Sequence, residues 1–209
     1  MKYEVAISRE HRYGTDSILL SDFALASSLK NKTAVDLCAG CGIVSFMLCE
    51  SGAARLYAVE LLTDAVELIE RTNRAHGLDV RVIQGDLREE QTLARIGREA
   101  VDLVTANPPY FTQGSGFERG SPTQKSARYD GDCTLTDVVA AAAYLLKFGG
   151  TLKMCMAAAR LAECIGIMQA RGIEPKEIVL IGAQKTNKAR LFLISGKKGG
   201  KAGVITTWK

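Results

Sequence analysis

Long apolar runs are absent from this 209-residue sequence. No stretch approaches the roughly 20 residues that cross a bilayer, so we expect no membrane-spanning segment. The N-terminus, Met1–Val5, lacks the apolar core of a signal peptide, which makes a cytoplasmic protein the default expectation. Internal repeats and domain linkers are missing too, and the length fits one domain with a substantial core.

Histidine is scarce, and its scarcity argues against a metal site. Only His11 and His76 are present, and neither is close in sequence to the pair Cys38 and Cys41. A structural zinc site needs about four nitrogen or sulfur ligands, which this pair cannot supply without a second pair. The six cysteines are scattered through apolar surroundings, as is typical of reduced thiols that are buried as small hydrophobic groups.

Acidic residues are absent from residue 178 to the end of the sequence. This stretch of 32 residues carries seven basic residues, whereas the preceding 177 residues carry 20 basic and 23 acidic ones. A basic segment on a slightly acidic body indicates a polyanionic partner, or else a solvated surface tail. The seven are Lys185, Lys188, Arg190, Lys197, Lys198, Lys201 and Lys209.

Strand and helix patterns alternate along the chain, which predicts an α/β fold with a mixed, largely parallel sheet of seven strands flanked by helices. The predicted strands are Thr33–Leu37, Arg55–Glu60, Val80–Gln84, Val101–Ala106, Thr151–Met156, Lys176–Ile181 and Leu191–Ser195, with Val204–Trp208 as a further edge strand. The predicted helices are Ile43–Ser51, Thr63–Ala75, Glu90–Arg98, one from Thr134 or Thr136 to Lys147, and Ala157–Arg171.

Two segments fall outside this alternation. Residues 107–133 have no periodicity and are rich in Gly, Ser, Pro and Gln, a composition found in functional lids and in disordered segments. Residues 1–32 are irregular apart from an amphipathic stretch over Ile18–Leu29. They are too few for an independent substrate domain. We therefore expect residues 1–32 to pack over the active site and residues 33–209 to form the domain itself.

The tetrad Asn107-Pro108-Pro109-Tyr110 directly follows a predicted strand. Two prolines fix the backbone and remove two N–H donors, which leaves the carbonyls and the Asn107 amide oxygen as rigid acceptors. Such acceptors can grip a planar amino group and favour a pyramidal nitrogen, while an aromatic ring holds the attached base. The other interpretation is an ordinary turn, since Asn-Pro often starts one.

A Gly-rich turn, Asp36-Leu37-Cys38-Ala39-Gly40-Cys41-Gly42, links the first strand to its helix. Its glycines let a ligand approach the backbone, and the helix that follows favours a ligand carboxylate or phosphate. The third glycine of a dinucleotide fingerprint is missing, and Asp36 suits an ammonium group better than a pyrophosphate. The methionine part of S-adenosylmethionine fits this turn.

Two more carboxylates end the next strands. Glu60 can accept ribose hydroxyl protons, and Asp86, beside Leu87, can accept from an adenine amino group. The alternatives are a residue next to a helix start for Glu60 and a turn aspartate for Asp86. Open α/β sheets bind ligands at the carboxyl ends of their strands, where all of these residues fall.

These motifs resemble those of the class I S-adenosylmethionine-dependent methyltransferases, and the tetrad resembles that of enzymes that methylate planar amino nitrogens. The segment His11-Arg12-Tyr13-Gly14-Thr15-Asp16-Ser17-Ile18-Leu19-Leu20 is similar to the N-terminal signature of the tRNA adenine-N6-methyltransferases that modify valine tRNA beside the anticodon. Residues 111–116, Ala127-Arg128-Tyr129 and the basic C-terminal hairpin are similar as well. The chain departs from the pattern at Cys38, where many relatives carry glycine, and at Tyr129-Asp130, where a His-Glu pair is expected.

The resemblance implies a Rossmann-like class I methyltransferase fold and a set of site residues. Asn107 and the Pro108 carbonyl would grip the target N6 amino group, and Tyr110 would stack on the base. Tyr13 and Asp16 would wall the cofactor pocket, or Asp16 would simply cap a helix. The implied cofactor contacts are Asp36, Ala39, Gly40, Gly42, Glu60, Leu61, Asp86, Leu87 and Asn107. The candidate RNA contacts are Arg119, Lys125, Arg128, Lys185, Lys188, Arg190, Lys197 and Lys198.

The expected function is methyl transfer from S-adenosylmethionine to the N6 amino group of an adenosine in RNA, most of all in a tRNA anticodon loop. Release-factor glutamine N5-methylation uses the same tetrad, but those enzymes usually carry a helical N-terminal domain. Guanine-N2 methylation of rRNA and adenine methylation of DNA are further alternatives. A non-catalytic RNA-binding module is the alternative of another class, and the intact tetrad, Asp36 and Glu60 argue against it.

Overall fold

Strands and helices alternate in the computed structural model, which describes residues 3–108, 133–183 and 188–209. The helices are α1 (Thr15–Leu25), α2 (Ile43–Cys49), α3 (Thr63–His76), α4 (Glu90–Ala94), α5 (Leu135–Leu145) and α6 (Leu161–Ala170). The strands are β1 (Thr33–Leu37), β2 (Arg55–Glu60), β3 (Val80–Gln84), β4 (Val101–Ala106), β5 (Leu146–Ala157), β6 (Ile173–Ala183), β7 (Lys188–Lys198) and β8 (Ile205–Trp208). A 3-10 turn over Ala158–Arg160 precedes α6.

The strands form one sheet in the order β3-β2-β1-β4-β5-β7-β6-β8. The first five strands are parallel, β7 runs antiparallel between β5 and β6, and β8 pairs parallel with β6. The predicted α/β fold is confirmed, with β8 as the anticipated edge strand beyond the seven. Because β1 to β4 are parallel, their carboxyl ends meet at one edge, where the candidate site residues come together.

Two apolar layers cover the faces of the sheet. Helices α1, α2 and α3 bury one face, with Leu20, Phe46 and Ile69 fully buried between them and the strands. Helices α5 and α6 bury the other face, with Val138 and Met168 at no measurable exposure. Strands covered on both faces consist of nearly continuous apolar residues. For this reason the sequence predicts both ends of β1 and of β4 correctly.

The predictions are wrong at several element ends. Strand β5 begins at Leu146 and runs to Ala157, so the predicted helix over Ala157–Arg171 starts instead with a 3-10 turn and becomes α-helical at Leu161. Helix α3 begins at Thr63 as predicted and ends at His76, one residue beyond the predicted end. Thr134 caps α5 in a capping box with Asp137.

The N-terminal residues are tied to α3 and to the sheet. The Ala6 backbone N–H donates to Thr72 Oγ1 at 2.9 Å, and His76 Nε2 donates to the Glu4 carbonyl at 3.0 Å. His11 Nε2 lies 2.7 Å from Asp64 Oδ2. These bonds hold the segment before α1 against α3. Among the helices of the described residues, none has the length and apolar character of a membrane span.

Candidate active site

A cleft of about 190 Å³ opens at the carboxyl ends of β1 to β4. It is lined by residues that follow or end four successive strands, together with His11 before α1 and Cys133 before α5. The lining residues are His11, Cys38, Gly40, Val59, Glu60, Leu61, Leu62, Gly85, Asp86, Leu87, Arg88, Asn107 and Cys133. The sequence motifs of the strand ends therefore share one cleft.

The turn between β1 and α2 needs left-handed backbone at three positions. Cys38, Gly40 and Gly42 have φ of 57°, 56° and 82°. A Cβ at Gly42 would lie 2.9 Å from the Phe46 ring, so this glycine is required by packing as well as by φ. Cys38 holds the left-handed geometry with a side chain, which costs on the order of 1 kcal/mol relative to glycine.

Glu60 ties this turn to the end of β2. Its Oε2 accepts from the Gly40 backbone N–H at 2.7 Å, and its Oε1 accepts from the Leu61 and Leu62 N–H groups at 2.8 and 3.0 Å. The residue is 8% exposed and lines the cleft. A carboxylate has about four acceptor positions, so roughly one is left for a ligand hydroxyl.

Asp36 lies beneath the turn and does not line the cleft. It is 1% exposed, and its two oxygens accept from Ser45 Oγ and Thr105 Oγ1, both at 2.8 Å. Burial raises the pKa of Asp36 to about 6, although the two hydroxyl groups lower it in part. Its charge lies under the turn, and its oxygens are committed to protein donors.

Replacing Asp36 by Asn should stabilise the protein at alkaline pH. The pKa of Asp36 rises from 3.8 to about 6 on folding, so the stability gained from the neutral carboxyl is complete below pH 3.8 and lost as the pH rises through 6. At pH 8 this loss is on the order of 3 kcal/mol. Thermal unfolding should therefore show that the stability of D36N relative to the wild type increases from pH 5 to pH 8. A constant difference between the two proteins would contradict the buried charge.

Asp86 lines the cleft but is bound by its neighbour Arg88. The Arg88 Nε lies 3.0 Å from both carboxylate oxygens, its Nη2 donates to Oδ2, and its backbone N–H donates at 2.9 Å. This side-chain bond lowers the pKa of Asp86. Leu87 follows at 7% exposure and supplies an apolar wall. A ligand amino group would have to share the Asp86 carboxylate with Arg88.

Asn107 is held by the first turn of α1. Its Nδ2 donates to Asp16 Oδ2 and to Ser17 Oγ, both at 3.0 Å. Ser17 is buried and the Pro108 that follows Asn107 is buried as well, so the side chain is fixed from two sides. The amide nitrogen faces α1 and makes both of these bonds, so the amide oxygen takes no part in them. Asp16 therefore positions Asn107 across 91 residues of sequence.

The structure brings most of the predicted cofactor residues together around the cleft. Gly40, Glu60, Leu61, Asp86, Leu87 and Asn107 line it, while Ala39 and Gly42 shape the turn behind it. Tyr13 is exposed and is not among the lining residues. Tyr110, Arg119, Lys125, Arg128 and Lys185 lie outside the described residues.

Sequence reasoning gave no role to Ser17, Arg88 or Cys133. The turn itself had a signal, since an aspartate side chain often accepts from the backbone N–H two residues on, as Asp86 does from Arg88 at 2.9 Å. Cys133 meets Cys38 in the cleft, where a hydrogen bond between the two thiols and burial raise the pKa of Cys38. No sequence signal links these two cysteines.

The predicted basic contacts divide between opposite edges of the sheet. Lys188 begins β7 and lies at the same edge as the cleft, with Arg190 next to it. Lys197 and Lys198 end the same strand and pair with the beginnings of β5 and β6. The Lys198 Nζ donates to Glu99 Oε1 at 2.9 Å and to the Ala143 and Leu146 carbonyls at 2.8 Å. Lys198 thus closes the far edge, and neither of these two lysines is near the cleft.

Residues 12–168 match the profile of the methyltransferase small domain family. This range covers most of the chain and every residue that lines the cleft except His11. The chain belongs to this family. The expected methyltransferase class, with S-adenosylmethionine as the cofactor of the family, is thereby confirmed.

Curated relatives with two different activities are similar in sequence. A tRNA1(Val) (adenine(37)-N6)-methyltransferase of Tolumonas auensis is 30% identical over 165 residues, which covers 77% of this chain and 65% of the relative. A release factor glutamine methyltransferase of Mycolicibacterium smegmatis is 34% identical over 143 residues, 65% of this chain and 49% of the relative. The chain thus spans less than two thirds of the length of either relative.

A solved structure supports the same fold. The crystal structure of a predicted O-methyltransferase from Agrobacterium tumefaciens superposes with a TM-score of 0.71 at 21% identity. The match covers 92% of this chain and 85% of that one. The class I methyltransferase fold expected from the sequence is confirmed.

Proposed function

We propose that this chain transfers a methyl group from S-adenosylmethionine to the N6 amino group of an adenosine in RNA, with a tRNA anticodon loop as its substrate. The position of Asn107 carries the proposal. Its amide is held by Asp16 and Ser17 at the mouth of the cleft, directly before two prolines. The tRNA-modifying relatives support the choice of RNA.

The cleft residues fit the cofactor as follows. Glu60 would bind a ribose hydroxyl with its remaining acceptor position, and Leu87 would pack on the adenine ring. Asp86 would accept from the adenine amino group while it keeps Arg88. Gly40 leaves open space where a side chain would stand, because a Cβ there meets nothing within 4 Å. Asp36 would act from below the turn, where its charge favours the ammonium group of methionine.

The cofactor supplies an electrophilic methyl group on a sulfonium, and the protein residues prepare the nucleophile. The Asn107 amide oxygen and the Pro108 carbonyl would accept the two hydrogens of the target amino group. That contact draws the nitrogen lone pair out of conjugation and aims it at the cleft. Positioning and electrostatic stabilisation would then accelerate methyl transfer. The amino proton leaves only after the nitrogen has been alkylated.

Asp16 is a positioning residue in this scheme. D16A removes one of the two acceptors that orient Asn107, so we expect kcat to fall about tenfold or more because misplacement of reacting groups is costly. Affinity for S-adenosylhomocysteine should stay the same, since Asp16 does not line the cleft. Initial rates and calorimetry would measure both.

The matched control for Asp16 is D22A, which changes an exposed aspartate of the same helix. D22A should behave as wild type, and D16N should recover part of the rate because its amide oxygen can still accept. Equal rate losses in D16A and D22A would mean that α1 acts only through its stability.

Glutamine N5-methylation of a release factor is the second candidate, because the M. smegmatis relative carries that activity. Labelled S-adenosylmethionine can be offered with total tRNA, with ribosomal subunits and with a release factor in separate reactions. The proposal predicts label in tRNA alone. Label in the release factor or in rRNA would replace it with the corresponding substrate.

A further inference from the structure

The C-terminal strands bring an aromatic ring to the edge of the sheet that holds the cleft. Strand β6 runs in the same direction as β5, and β8 pairs parallel with β6. Trp208 pairs with Leu180 near the carboxyl end of β6, and the Lys209 N–H donates to the Leu180 carbonyl at 2.9 Å. The end of β8 and the start of β7 therefore share the edge with Asn107.

The Trp208 ring is held in place and remains open on its outer side. A Cβ at Gly182 would lie 2.8 Å from Trp208 Cζ2, so the indole rests against backbone that has no side chain. Yet 51% of the residue is exposed, a large fraction for a tryptophan. A ring fixed from behind and open in front suits stacking against a flat partner.

The edge of the sheet that carries Trp208 is rich in basic residues. Lys188 and Arg190 are exposed at the beginning of β7, and Lys209 follows Trp208 directly. No acidic residue occurs from residue 178 to residue 209. Lys188 also contacts the same glycine, because its carbonyl lies 2.7 Å from the position of a Cβ at Gly182. Positive charge on the same edge of the sheet as an open aromatic ring is the usual composition of a single-stranded nucleic-acid site.

We propose that Trp208 is a stacking platform for an unpaired base of the RNA substrate, with Lys188, Arg190 and Lys209 near the adjoining phosphates. Strand β8 lies four strands from β4, which places the platform about 19 Å across the sheet from Asn107. The stacked base is therefore a different nucleotide from the one that is methylated. This inference rests on the proposed function, since it names how the same RNA is held.

Trp208 is the only tryptophan in the chain, so its fluorescence reports on this site alone. Unmodified tRNA and an anticodon stem-loop RNA would be titrated into the protein, with free N-acetyltryptophanamide as the correction for absorbance. Stacking predicts saturable quenching of Trp208 at the same RNA concentrations that shift a fluorescent label on the RNA in anisotropy.

The variants separate the ring from its strand. W208A should weaken RNA binding by about 5- to 150-fold, the range of one base–aromatic stack, whereas W208F should recover most of the affinity. The matched control is I205A, because Ile205 is 69% exposed on the same strand but lies on its opposite face. I205A should bind RNA as the wild type does, and all variants should keep the affinity for S-adenosylhomocysteine.

The outcomes distinguish this inference from the proposed function. Wild-type protein that binds RNA without quenching, or W208A that binds as tightly as the wild type, overturns the platform and leaves the methyltransferase proposal standing. Wild-type protein that methylates a protein substrate and binds no RNA overturns both. Sedimentation that finds a wild-type dimer and a W208A monomer would instead make this edge a contact between copies of the chain.

Discussion

Replacing Asn107 by Ala is expected to lower kcat for methyl transfer by about 100- to 1,000-fold, the usual cost of removing one preorganised polar group at a reacting centre. The variant loses the amide oxygen that would grip the target amino group, and the alanine side chain offers no acceptor in its place. Its partners Asp16 and Ser17 stay in place on α1. Single-turnover rates with saturating RNA and cofactor would measure the effect.

The controls for N107A separate chemistry from binding. Glu60 and the Gly-rich turn are unchanged, so affinity for S-adenosylhomocysteine in calorimetry should change far less than kcat. Thermal unfolding should place the variant close to the wild type, because Asn107 is only half-buried. A variant with near-normal kcat would remove Asn107 from the reaction, whatever its effect on KM.

Replacing Glu60 by Gln is expected to weaken cofactor binding by about 10- to 100-fold. One amide oxygen can still accept from Leu61 and Leu62, but the amide NH₂ group would then face the Gly40 N–H. Two donors facing each other leave the turn without its anchor to β2. The free energy of unfolding should fall by about 1–3 kcal/mol for the buried donor without a partner.

The matched control for Glu60 is E67Q, which makes the same chemical change at an exposed position of α3. Calorimetry with S-adenosylhomocysteine and urea unfolding should both leave E67Q at wild-type values. If E60Q binds the cofactor as the wild type does, the anchor between Glu60 and Gly40 does not shape the cofactor site.

The middle of the fold could be predicted from the sequence because local signals agree there. Strands β1, β2 and β4 are mostly buried runs bounded by turns, β3 is partly exposed, and all four are predicted to the residue. Helix α5 is capped by Thr134, one of the two caps that the sequence offers. The carboxyl ends of these strands then place Gly40, Glu60, Leu87 and Asn107 in one cleft by topology alone.

The remaining features depend on contacts between distant residues. Nothing local shows that Asp36 is covered by Ser45 and Thr105, or that Asp16 reaches Asn107. The basic segment looks like one cluster in sequence. However, β7 is 11 residues long, so its two ends are roughly 35 Å apart and Lys198 belongs to the far edge.

The most direct test of the account is nucleoside analysis of tRNA after reaction with this protein and S-adenosylmethionine. Total tRNA from cells that lack the corresponding modification would be treated, digested and separated by liquid chromatography with mass spectrometry. The proposed function predicts N6-methyladenosine that accumulates with time and forms about 100- to 1,000-fold more slowly with N107A. Methylated guanosine, or no methylated nucleoside while the cofactor is bound, would contradict it.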